Sequence, residues 1–145
     1  MEGNILLIGG TGTLGKAFLY DLKKRDKCKI TVLSRDEQKH HTLSSEFSDV
    51  EFVVGDIRDR DSIEHCFFNK DIVIHTAAMK HIDICEKNPI ESVKTNIIGS
   101  DNVAKFCVKY GIKYCLLSST DKAVDPISVY GYSKAIAESI FFQLN

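Results

Sequence analysis

Tyr130 and Lys134 stand four residues apart near the end of the chain, and a short loop before them lies the run Thr120-Asp121-Lys122. Positions i and i+4 share one face of a helix, so a phenol and an ammonium can project together and handle the proton that must accompany a hydride. Hydride transfer also needs a dinucleotide. Gly9-Gly10-Thr11-Gly12-Thr13-Leu14-Gly15 offers the spacing G-x-x-G-x-x-G after an apolar strand and at the start of an amphipathic helix. In that setting small residues let the backbone approach a pyrophosphate, and the helix N-terminus receives its charge. Gly9, Thr11, Gly12, Thr13, Leu14 and Gly15 are therefore assigned to cofactor binding.

These groups must be positioned by an alternation of strands and helices. Strands are expected at Asn4 to Ile8, Lys29 to Leu33, Val50 to Val54, Asp71 to His75 and Lys113 to Ser118. A helix from Thr13 to about Arg25 carries Leu14, Phe18 and Leu22 as an apolar stripe. Helical segments are also expected around Glu37 to Leu43 and Ser62 to Phe68. A longer helix from about Ile90 to Tyr110 starts at Asn88-Pro89, lines one face with Val93, Ile97, Ala104 and Val108, and stops at Gly111. The last helix begins near Tyr130. Strands alternating with helices predict an α/β fold with a parallel, doubly wound sheet. Asp121 and Lys122 would then lie just past the fifth strand, at the same sheet edge as the glycine loop.

Composition bounds the function. With 145 residues, 43% hydrophobic and 27% charged, the chain has room for one domain with a proper core. A net charge of −1 gives no electrostatic case for nucleic acid or an anionic membrane as partner. No apolar run is long enough to span a bilayer and no basic stretch precedes a signal core, so a cytoplasmic location is expected. The cysteines Cys28, Cys66, Cys85, Cys107 and Cys115 lack C-x-x-C spacing and read as free thiols. The histidines lack partners at ligand spacing, so no metal site is expected.

The end of the second strand bears on which dinucleotide fits. An acidic residue there would bind the ribose hydroxyls and repel a 2′-phosphate, but the chain reads Leu33-Ser34-Arg35-Asp36-Glu37. Ser34 can donate to a phosphate and Arg35 can pair with one, which favours NADP over NAD, although Asp36 and Glu37 follow directly. After the third strand, Asp56 could accept from an adenine amino group beside Ile57, or serve as a turn or cap residue. After the fourth, the small Ala77 and Ala78 would let a cofactor lie against the backbone, and Lys80 could reach a phosphate or the substrate.

Taken with Glu86-Lys87-Asn88-Pro89, Lys94-Thr95-Asn96 and Ser119-Thr120-Asp121-Lys122-Ala123-Val124, these motifs resemble the extended short-chain dehydrogenase/reductase superfamily. Within it they look most like the UDP-N-acetylglucosamine 4,6-dehydratase group of polysaccharide-biosynthesis proteins, and Thr120-Asp121-Lys122 is the most discriminating piece. The resemblance implies a Rossmann-type sheet of order 3-2-1-4-5 and a cycle with no net oxidation. A hydride passes from sugar C4 to NADP+, water leaves across C5 and C6, and the hydride returns to C6. It implies that Tyr130 acts at the C4 hydroxyl beside Lys134, whose charge favours the phenolate, and that Thr120 bonds the same oxygen. It further implies that Asp121 protonates the departing hydroxyl, Lys122 removes the C5 proton, and Asn96 supports Lys134 through a water. The implied partners are a UDP-sugar and further copies of the chain, associating through the helices near 90–110 and 130–145.

No segment is recognisable for gripping a substrate. Residues 1–145 are therefore expected to be an NADP-binding domain, an N-terminal fragment or isolated domain that turns over little substrate alone. An epimerase or reductase of the same fold would use Tyr130 and Lys134 without Asp121 and Lys122. A non-catalytic NADP-binding module would need neither pair.

Overall fold

The first strand is apolar without alternation because both of its faces are covered. In the computed structural model, which describes residues 3–24 and 28–144, β1 (Gly3–Ile8) is the centre of a five-stranded parallel sheet. The other strands are β2 (Cys28–Ser34), β3 (Glu51–Val54), β4 (Ile72–His75) and β5 (Tyr114–Leu117), in the order β3-β2-β1-β4-β5. Ile5 stands in register with Ile30 on one side and Ile72 on the other. Successive strand residues point to opposite faces, so Ile5 and Leu7 enter one core with Leu19, Val32 and Leu43, while Leu6 and Ile8 enter a second with Ile63, Phe67 and Phe106. The side chains of Ile5, Leu6, Leu7 and Ile8 are all buried, and each contributes about 1.5–3 kcal/mol.

The helices cover these faces. They are α1 (Thr13–Lys23), α2 (Glu37–Glu46), α3 (Arg60–Ile63, followed by a 3₁₀ turn Glu64–Phe67), α4 (Ile82–Lys87), α5 (Pro89–Ser92), α6 (Gly99–Lys109) and α7 (Val129–Phe142). A π turn, Val93–Ile98, joins α5 to α6, and a 3₁₀ turn, Asp121–Ala123, precedes α7. Asp36 caps α2 by accepting from the Lys39 amide, and Ser128 caps α7 by accepting from that of Gly131.

Two expected faces are corrected. Leu14 is not part of the α1 core stripe: it is half exposed, and Gly15, Leu19 and Leu22 are the buried positions. Arg25, the expected end of that helix, lies outside the described residues. The long helix is not uniformly α, and Val93 and Val108 face outward, Val108 with 66% exposure. Its inward stripe is instead polar at the start, with Ser92, Thr95, Asn96 and Ser100 leading into Val103 and Phe106. Ala104 is buried as expected and Ile97 half-buried, so the apolar pattern marks the inward side only in part.

No helix among the described residues is long and apolar enough to cross a membrane. No group of three or more His, Cys, Asp or Glu gathers there to hold a metal. No disulfide joins the cysteines among the described residues.

Candidate functional site

The strand order reverses between β1 and β4, and at that switch point a groove of about 830 Å³ opens across the carboxyl ends of the strands. Gly9, Thr11, Gly12, Thr13, Leu14 and Gly15 form one wall. Ser34 and Arg35 arrive from β2, Asp56 and Ile57 from β3, Ala77, Ala78 and Lys80 from β4, and Tyr130 and Lys134 from α7. A second groove, of about 620 Å³, follows the outer edge of β5 and collects mainly apolar side chains.

The glycine loop is tight for a geometrical reason. A Cβ on Gly15 would sit 2.2 Å from the Gly9 carbonyl oxygen and 2.6 Å from Gly10 Cα, so only glycine lets α1 start this close under the loop. The N-cap, Gly12, supplies no side-chain bond to the first turn of α1, and no acidic residue lies there. The N-terminal amides and helix dipole thus face the groove without a competing anion, which suits a pyrophosphate.

At the β2 end, polar groups interlock. Thr11 Oγ1 donates to Ser34 Oγ at 3.0 Å, and Ser34 Oγ lies 2.6 Å from His40 Nε2. Arg35 stands 3.7 Å from Asp56. Arg58 clamps that carboxylate from its backbone amide at 3.0 Å and from Nε at 2.8 Å, then reaches Glu91 at 2.7 Å. Burial would raise the Asp56 pKa, but the Arg58 bonds outweigh it and hold the group below its ordinary value. Lys39, 2.6 Å from Asp36, also lines the groove. Sequence reasoning missed Lys39; its spacing of one helical turn past the Asp36 cap was the available signal.

At the β5 end the expected residues divide. Lys134 is 3% exposed and donates to the Ser118 carbonyl at 2.7 Å; burial lowers its pKa, with Glu138 opposing. Next to it His75, wholly buried, is driven to a pKa of about 3 by burial and by the Lys134 charge. Thr120, Asp121 and Lys122 are outside the groove lining, in the exposed turn between Ser119 and α7. Asp121 and Lys122 pair with each other at 2.7 Å, and the lysine followed by Thr120 holds the aspartate pKa low. A Cβ on Gly131 would lie 2.3 Å from the Lys122 carbonyl oxygen, so this turn rests directly on the first turn of α7 beside Tyr130.

Asn96 also sits behind the groove. Its side chain accepts from Met79 N at 2.8 Å and donates to Met79 O and Ser133 Oγ, both at 2.9 Å, so it ties the β4 loop to α7. The π turn directs Thr95 and Asn96 inward in succession, and Thr95 reaches the groove wall.

A glycine-rich turn at the switch point of a parallel sheet, with a tyrosine and lysine pair facing the same groove, defines a Rossmann-type domain of the short-chain dehydrogenase/reductase class. The chain belongs to the polysaccharide biosynthesis protein family, whose profile matches residues 5–145. UDP-N-acetylglucosamine 4,6-dehydratase (inverting) from Campylobacter jejuni subsp. jejuni serotype O:23/36 (strain 81-176) is 41% identical across 98% of this chain and 43% of its own. UDP-glucose 4-epimerase from Rickettsia bellii (strain OSU 85-389) is 36% identical, covering 97% of this chain and 43% of the epimerase. Among solved structures, the Bordetella bronchiseptica enzyme WbmG in complex with NAD superposes with a TM-score of 0.86 at 25% identity, over 99% of this chain and 50% of that one. The chain thus spans less than half the length of these curated relatives.

Proposed function

We propose that this chain is the cofactor-binding and hydride-handling part of an NADP-dependent nucleotide-sugar 4,6-dehydratase that acts on a UDP-N-acetylglucosamine-type substrate. One observation carries the reading: Tyr130 and Lys134 line the same groove as the glycine loop and Ala77-Ala78. The bare α1 N-terminus suits a pyrophosphate, and the cations Arg35 and Lys39 at the β2 end suit a 2′-phosphate. When bound, NADP+ supplies hydride acceptance at C4 and hydride return at C6.

In this reading Tyr130 takes the proton of the C4 hydroxyl, and Thr120 bonds the same oxygen. Lys134, fixed by Ser118, supplies a positive charge to the same groove wall as the phenol. Asp121 and Lys122 rest as a solvent-exposed ion pair, the opposite of the acid and base states that elimination of water needs. Excluding water from an ion pair favours its neutral form. Transfer of one proton from Lys122 to Asp121 under a bound sugar yields a carboxylic acid for the C6 hydroxyl and a free amine for the C5 proton, with no change of net charge.

The exposed side chains of Ile90, Ile98, Val108, Tyr132 and Ile136 support self-association through α5–α6 and α7. Sedimentation at increasing concentration checks this. Cysteines not joined as disulfides suit a reducing, cytoplasmic setting. The cofactor assignment is tested by titrating NADP+ and NAD+ calorimetrically. NADP+ is expected to bind more tightly, and Arg35→Ala to weaken NADP+ alone, by about tenfold. Equal affinities indifferent to the substitution overturn the NADP preference.

A second reading, a nucleotide-sugar 4-epimerase, is favoured by the position of Asp121 and Lys122 outside the groove lining. Mass spectrometry of the sugar product in the longer protein separates the two: a dehydratase product lacks one water, and an epimerase product keeps the mass of its substrate.

A further inference from the structure

Ser34 has one proton to give and two lone pairs to receive with, and both of its protein partners are on the same hydrogen-bonded chain. The Thr11 hydroxyl occupies one lone pair at 3.0 Å. The second contact, 2.6 Å to His40 Nε2, runs in a direction that depends on which ring nitrogen carries the proton. His40 is 5% exposed, its ring packs against Phe52 with centroids 5.5 Å apart, and Nδ1 has no partner. With the proton on Nδ1, a buried N–H would be orphaned, at a cost of about 1–3 kcal/mol. With the proton on Nε2, only a lone pair is left unshared at Nδ1, and buried proteins tolerate an idle acceptor better than an idle donor. The second arrangement is favoured, and in it His40 donates to Ser34.

Both lone pairs of Ser34 are then filled, and its own O–H is directed to the side that remains, the groove. Its neighbours are of the same kind, because Arg35 and Lys39 are donors only. The nearby acceptors are engaged: Asp36 holds Lys39, and Asp56 holds Arg58. We propose that His40 is a specificity-determining positioning residue, which with Thr11 fixes Ser34 as a donor so that the β2 end prefers an acceptor-only phosphate monoester to a ribose hydroxyl. This rests on the reading of the groove as a dinucleotide site. A ribose hydroxyl brings a proton that needs an acceptor of its own; a phosphate brings oxygens alone.

Long-range ¹H–¹⁵N NMR on the ligand-free chain reads the tautomer directly, and the Nε2–H form of His40 is expected. Finding the Nδ1–H form overturns the proposal whatever the chain binds. In calorimetric titrations, His40→Leu is expected to weaken NADP+ binding by about 3- to 10-fold, the value of one hydrogen bond, and to leave NAD+ within about twofold. His40→Gln keeps an N–H at the position of Nε2 and is expected to restore NADP+ affinity. Equal losses for both cofactors, or no rescue by glutamine, mark a purely structural role and overturn the proposal. Failure of the unsubstituted chain to bind either dinucleotide overturns the reading of the groove and this preference with it, while the tautomer is judged separately.

Discussion

The β2 end of the groove and its β5 end meet the same ligand-sized space with opposite electrostatic designs. At the β2 end the oxygen acceptors that line the groove already have donors: Thr11, Ser34 and His40 form one chain, and Arg35, Asp56, Arg58 and Glu91 another. The side chains left to meet a ligand are cations and a hydroxyl, held in place before anything binds. At the β5 end Lys134 is buried near a second, neutral histidine, while Asp121 and Lys122 satisfy each other in solvent. The first end is preorganised for binding. In the proposed function the second keeps Asp121 and Lys122 in a resting arrangement that a substrate must alter, which is the expected division where affinity and chemistry are handled by different parts of one site.

The sharpest way to break this contrast is to disable the binding end alone. Gly15→Ala places a Cβ where the Gly9 carbonyl oxygen and Gly10 backbone already stand. Neither obstacle is a flexible side chain, so the loop must move. Calorimetry is expected to show at least a tenfold loss of NADP+ affinity, and urea unfolding a cost of about 3 kcal/mol. Binding that survives the substitution would show that the glycine loop does not set the phosphate position, and the contrast between the two ends would collapse.

Much of this was legible before any coordinates. The alternation of apolar strands with amphipathic helices gave the sheet, and the glycine spacing gave the groove, because strand pairing and close backbone approach impose strict patterns on residue type. What escaped was governed by tertiary partners. The inward face of the π-turn helix is polar at its start because Asn96 bonds the Met79 backbone and Ser133, and no periodicity of apolar residues reveals such a face. Leu14 looked like core since its spacing to Phe18 fits a helix, yet it stands beside the glycine loop at the groove. His40 lay in an unremarkable polar stretch, and only the fold sets it under Ser34. Asp121 and Lys122 were foreseen past the fifth strand, but their mutual pairing depends on side-chain geometry that spacing does not contain.

The β5 end carries a pH liability in His75. Its folded pKa, near 3, is below the usual value of about 6.5, so the unfolded chain takes up the proton first. Stability is then complete above about pH 6.5 and falls as the pH drops from there toward 3. Between pH 7 and pH 5 the loss is about 2 kcal/mol, a window above the range in which the paired carboxylates titrate. Urea unfolding at the two pH values measures it, and His75→Leu is expected to remove most of the difference. His40, whose pKa is also lowered by burial, contributes at the other end of the groove and sets the part that persists. An acid sensitivity that vanishes only on replacing His40 would move the liability to the binding end.

The smallest effect is the one that separates stability from chemistry at Lys134. Its ammonium is buried and donates to Ser118 O, and Glu138, the carboxylate that favours its charge, is partly spent accepting from Ser119. A charge held this way costs folding energy at pH values below its lowered pKa, and the cost is relieved as the pH rises through that value. Lys134→Met keeps the length of the side chain and removes the charge. At pH 7 it is expected to raise stability by about 1 kcal/mol in urea unfolding, with the gain shrinking by pH 10. Cofactor affinity set at the β2 end should change little by comparison. A destabilised Met variant would make Lys134 part of the scaffold; a stabilised one identifies a residue retained against the interest of the fold, as the proposed role of its charge toward Tyr130 requires.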